Sequence, residues 1–139
     1  MKAKTGQQIE NDIYAMFQMG SLPGIIGGML YKYGMRPKDS KTEDAVVRFV
    51  TCLPGQVQDG TAVVNIYVPD VKVYNDGIMR KNIARCTELE QAAEEWVQSL
   101  SAAKSDYLFE LAQTIYTEEE PDIHQHFITI RLKYKLSTI

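Results

Sequence analysis

The sequence predicts an α+β domain: a mixed or antiparallel sheet of about five strands, flanked by an N-terminal helix and one long helix. Three observations carry this. Two runs rich in Val, Ile, Phe, Tyr and Thr, at 46–53 and 62–68, flank a centre holding Pro54, Gly55, Asp59 and Gly60. Such runs suit a pleated surface and read as a hairpin. Residues 79–102 carry apolar side chains at steps of three and four, the period of a helix. Residues 124–136 give the cleanest period-2 pattern in the chain, the period of a half-buried strand. The strands come in groups and do not alternate regularly with helices, giving the order α-β-β-β-α-β-β.

In order along the chain, residues 5–19 predict an amphipathic helix with Ile9, Ile13, Met16 and Phe17 on one face. Thr5 and Gln8 have capping-box spacing. Gly20 to Gly24, with Pro23, ends it. Residues 25–33 predict the first strand, with Gly27–Gly28 as a bulge or a point of close approach. Residues 34–43 are polar and contain Pro37, so they predict a loop with little to bury on its own.

In the hairpin, Val64, Ile66 and Val68 face one way and Val63, Asn65 and Tyr67 the other. Both faces hold apolar residues, so one helix layer covers only one of them. Pro69–Asp70 ends the hairpin, and Asn75–Asp76–Gly77 is a turn. On the long helix, Met79, Ile83, Cys86, Leu89, Ala93, Trp96 and Leu100 form the stripe. Residues 107–116 predict a strand and 118–122, EEEPD, a loop tip. In the last strand, Ile128, Ile130, Leu132, Tyr134 and Leu136 alternate with Thr129, Arg131, Lys133 and Lys135.

A length of 139 residues suits one domain with its own core. A net charge of −3 argues against a general or sequence-specific nucleic-acid binder. Cys52 and Cys86 sit within apolar patterns and read as buried free thiols rather than a disulfide. No apolar run approaches the roughly 20 residues of a membrane span, and residues 1–8 lack the apolar core of a signal peptide. The expectation is a protein without membrane contact, folded in a reducing cytoplasm.

Signals for chemistry are sparse. His124 and His126 form an H-x-H pair on a strand, beside Glu118, Glu119 and Glu120. Two imidazoles supply only half the ligands of a closed zinc site. The bland reading is a pair of partly exposed histidines beside a solvated tip. Arg131, Lys133 and Lys135 make a basic stripe that fits a phosphate track or, more simply, a solvated strand face. There is no P-loop, G-x-G-x-x-G or G-x-S-x-G. The sequence gives no reason to assign a catalytic residue, a metal or a cofactor. The alternative is a small metal-dependent or hydrolytic enzyme using His124, His126 and the nearby acids.

The stretches YKYGMRPKDSKTEDAVV, 31–47, and NIYVPD, 65–70, carry a resemblance. Together with the element order, they resemble the tail terminator, or minor tail protein U-like, family of phages and prophages of Bacteroides-type bacteria. A sister head–tail joining family has a similar pattern. The motifs span about half the chain and are not catalytic in kind. The resemblance implies an α+β structural protein of the virion tail, assembled in the bacterial cytoplasm. It implies a homo-oligomeric ring, a hexamer, that caps the tail tube and meets the tail tube protein and a head-completion protein. By position it marks Arg36, Pro37, Ser40, Glu43 and Asp44 in the loop, and Asn65, Tyr67, Pro69 and Asp70 at the hairpin end, as residues of a subunit or partner interface.

Overall fold

A computed structural model describes residues 3–137. Helix α1, Gly6–Met19, opens with the expected capping box: the Gln8 N–H donates to Thr5 Oγ1, and the Thr5 N–H donates to Gln8 Oε1. It buries Ile9, Ile13 and Phe17 completely. A 3₁₀ turn at Leu22–Gly24 leads to a short strand β1, Leu30–Lys32. Strands β2, Ala45–Leu53, and β3, Val57–Pro69, form the hairpin. A small second pair follows, β4, Val71–Lys72, with β5, Met79–Arg80. Helix α2 spans Ile83–Ala102 and is capped by Asn82, whose side chain accepts the Arg85 N–H. Strands β6, Tyr107–Leu111, β7, Tyr116–Glu120, and β8, Gln125–Ser137, complete the chain.

The main sheet has the order β1-β2-β3-β8-β6, with β7 also paired to β8. This is the α+β architecture that the sequence predicts, but four local expectations are corrected. The first strand is only three residues long and pairs parallel to β2. Residues 25–28 lie outside it, because the Ile25 and Ile26 N–H groups close the preceding turn onto Leu22 O. The hairpin turn is tight, at 54–56, so β3 begins at Val57 instead of Ala62. Gly60 belongs to the strand: it pairs with Tyr134, and a Cβ there would lie 2.5 Å from the Tyr134 hydroxyl.

The long helix starts at Ile83 because residues 79–80 pair with 71–72, which leaves Met79 and Ile83 exposed. The predicted strand 107–116 is two strands. Strand β8 is 13 residues long, and its edge takes β6 along Leu132–Leu136 and β7 along Gln125–Thr129. The acidic residues Glu118, Glu119 and Glu120 therefore lie in a strand and not in a loop tip.

Both helices pack on the same face. The core joins Ile9, Ile13 and Phe17 of α1 and Leu89, Ala93 and Trp96 of α2 to one parity of strand residues, including Val47, Val64, Ile66, Ile130 and Leu132. Trp96 is fully buried and meets Phe17 edge-on, with ring centroids 5.2 Å apart. The opposite parity forms a face that no helix covers: Tyr31, Val46, Arg48, Val63, Asn65, Tyr67, Phe127, Thr129, Arg131 and Lys133. Both cysteines are free, Cys86 buried and Cys52 half-buried. Among the described residues, no helix is long and apolar enough to cross a membrane.

Candidate functional site

Most of the residues marked in the sequence gather at one end of the sheet, where the 33–44 loop folds over the open face. Asp44 is completely buried. One of its carboxylate oxygens accepts the Met29 N–H at 2.9 Å and the Thr42 hydroxyl at 2.8 Å. The other accepts Arg36 Nε at 2.9 Å and the Ser40 hydroxyl. Burial raises the Asp44 pKa, but the donors, Ser40 first, outweigh it and hold the carboxyl below its ordinary range. Arg36 also donates to Gln125 Oε1 at 2.9 Å and to the Thr42 carbonyl at 3.2 Å. Its guanidinium lies 4.1 Å over the Tyr67 ring. Gln125, buried on β8, donates to the Ser40 carbonyl at 2.8 Å. Arg36 and Asp44, marked by the resemblance as interface residues, form within the subunit a buried staple that fixes the loop.

Glu43 faces the other way. It accepts Arg85 Nε at 2.7 Å and Nη2 at 2.8 Å, and the Gly27 N–H at 3.1 Å. The forked hydrogen bond from Arg85 is the main reason its carboxyl sits below the usual range. Arg85 also donates to the Ile25 carbonyl at 2.7 Å, so this pair ties the first turn of α2 to the segment before β1. Gly28 is a close-approach point, as expected: a Cβ there would lie 2.3 Å from Asp44 Oδ1 and 2.4 Å from the Glu43 carbonyl.

Pro37 is exposed, and its carbonyl accepts the Ser40 N–H at 3.1 Å. Asn65 lies on the open face, and its buried Oδ1 has no hydrogen-bond partner among the described residues. Tyr67 is half-buried beside Phe127, ring centroids 5.5 Å apart, and burial pushes its phenol pKa up. Pro69 ends β3 against Gln125. Asp70 lies beyond the sheet end. Its Oδ1 is 2.7 Å from His126 Nδ1, and its N–H donates to the His124 carbonyl at 3.0 Å.

The two histidines do not share a strand face. His124 precedes β8 in a left-handed conformation with φ 54°, and it is exposed. His126 sits in the strand, engaged by Asp70. Among the described residues, no group of three or more His, Cys, Asp or Glu converges. Lys133 and Lys135 are exposed, and Lys133 reaches across to Glu110 at 3.8 Å, as on a solvated strand face.

Over this end of the open face lies a cavity of about 490 Å³. Tyr33, Val46, Tyr67 and Ile123 line it, with Glu120 and Asp122 also at the cavity. Sequence reasoning missed Tyr33, Glu120 and Ile123 as members of the site. The β7–β8 pairing and the bonds of Gln125 to Arg36 and Ser40 bring 120–123 beside the 33–44 loop. Comparison with protein-family models and with curated proteins returns no match for this chain.

Proposed function

We propose that this chain is a structural tail-assembly protein of the tail-terminator type. Copies close into a ring, a hexamer by resemblance, on the end of the tail tube. The ring stops tube growth and offers a surface to a head-completion protein. One observation supports this reading above the others: both helices pack on one side of the sheet, and on the other Tyr31, Tyr67 and Phe127 remain half-exposed around Val46 and Val63, which are buried. A sheet face with half-exposed aromatic rings and no helix over it suits burial against another chain. A head-to-tail contact repeated around an axis gives a closed ring. The firmly held 33–44 loop supplies a preformed edge to such a contact, which lowers the ordering cost of association.

The test is imaging of tails assembled with and without the protein. Terminator function predicts overlong tubes and unjoined heads when the gene is deleted. Tails of normal length that still join heads would sink the proposal.

A further inference from the structure

The segment between β3 and α2 is an arm that stands away from the core. Every residue from Val71 to Met79 is exposed, including Val73, Tyr74 at 65% and Ile78 at 52%. The arm is held by its own polar groups. Asp76 accepts the Ile78 N–H at 3.0 Å and Arg80 Nη1 at 3.1 Å, and the Arg80 guanidinium lies 4.9 Å over the Tyr74 ring. Gly77, at φ 73°, makes the turn possible. The polar groups are thus used inside the arm, and its apolar side chains are displayed. Lys72 and Lys81 enter no ion pair among the described residues.

The cavity over Tyr33, Val46, Tyr67 and Ile123 has an aromatic and apolar lining edged by two acids, Glu120 and Asp122, and by two cations, Lys38 and Arg36, of which Arg36 is already neutralised by Asp44. Neither acid enters an ion pair among the described residues. Its wall is rigid, because Arg36 is fixed by Asp44 and stacked on Tyr67. The arm leaves the sheet at Asp70, which bonds His126 on the helix side, and runs into α2 on that side. The cavity opens on the opposite face.

We infer that the arm of one copy seats Tyr74 and Ile78 in this cavity of the next copy, with Lys72 and Lys81 set against Glu120 and Asp122. The arm roots on the helix side of the sheet and the cavity opens on the other face, so the contact is head-to-tail; an open chain keeps a free arm at one end and a free cavity at the other until a ring closes. With Arg36 neutralised by Asp44, the acids outnumber Lys38 at the cavity, and this excess favours the cationic arm. This contact rests on the ring reading above and names the surfaces that would build it.

The test uses the full chain and two variants altered only at surface positions. Ile78→Asp spoils the arm and keeps the cavity; Glu120→Lys with Asp122→Lys spoils the cavity and keeps the arm. Circular dichroism checks that both fold. In wild-type protein taken to about 1 mM, amide NMR shifts should move together at 72–81 and around 33–37 and 120–123. Each variant alone should associate at least tenfold more weakly. Mixed, the two should give a one-to-one complex by sedimentation and nothing larger, because only one intact contact remains. Shifts absent from both sites overturn the inference. So does a cavity variant that associates as tightly as wild type, which would mean that the arm meets another surface or a different protein. If the mixing result holds but tails lacking the protein are normal, the contact stands and the terminator reading falls. If tails need the protein but both variants complete them normally, the reading stands and the contact falls.

Discussion

Arg36 and Asp44 form an ion pair 2.9 Å long in which the aspartate is wholly shielded from water. Removing one partner of a buried pair leaves an uncompensated charge. Asp44→Ala should therefore cost about 3–5 kcal/mol in urea unfolding. Arg36→Met with Asp44→Leu should cost less. The Met29 N–H would still lose its acceptor, a residual penalty of about 1–3 kcal/mol. A double variant as unstable as the single would show that the loop needs the charges themselves.

Acid should act on the same end of the molecule. Asp44 and Glu43 are both held below the ordinary carboxylate range, the first by Ser40 and the other donors against burial, the second chiefly by Arg85. A depressed folded pKa gives stability that is complete above the unfolded value, near pH 4, and is lost as pH falls through the folded value. Unfolding free energy should be flat above about pH 5 and fall below about pH 4. Glu43→Gln should flatten part of that slope. An unchanged slope would mean that other carboxylates dominate.

Trp96→Ala should cost about 3–5 kcal/mol, because the ring is fully buried, edge-on to Phe17 of α1. Trp96 is the only tryptophan, so circular dichroism must replace fluorescence as the readout. A loss under about 1 kcal/mol would place the ring outside the core. Gly20→Ala probes the same contact from the other side. Its Cβ would come within 2.8 Å of Trp96 Cδ1 and Nε1, and overpacking of this kind costs about 1–3 kcal/mol.

Gly28→Ala is the sharpest test of the loop. The new methyl would strike the Glu43 carbonyl and the Asp44 carboxylate, and both are held in place. The expected result is a loss of more than about 2 kcal/mol, with faster hydrogen exchange at the Met29 amide. An alanine variant as stable as wild type would show that 25–28 can shift without strain.

The parts of the fold legible in the sequence are those whose pattern is long and local. The alternation of β8 and the spacing from Cys86 to Leu100 on α2 stand out because each side chain reports the same buried surface. The break between β6 and β7 does not, since it reflects one long partner strand accepting two short ones. Likewise, three residues at 30–32 cannot announce a parallel partner; the course of the 33–44 loop decides it. The buried pairing of Arg36 with Asp44 was hidden for a related reason. Charged residues in a polar loop are usually solvated. Here Thr42, Ser40 and the Met29 amide surround the carboxylate, and none of that is visible until the loop closes. The open face was legible in outline, from apolar residues on both sides of 62–68, but the cavity at its end was not.

The position of β8 has a consequence for how the protein is made. Of the described strands it leaves the ribosome last, yet it lies between β3 and the pair β6 and β7. Until it emerges, β6 and β7 have no neighbour, and β3 presents a bare edge along its whole length. The nascent chain must hold a half-built sheet in solution while α2 and forty or so further residues are translated, a long-range closure that slows folding and exposes strand edges to other chains.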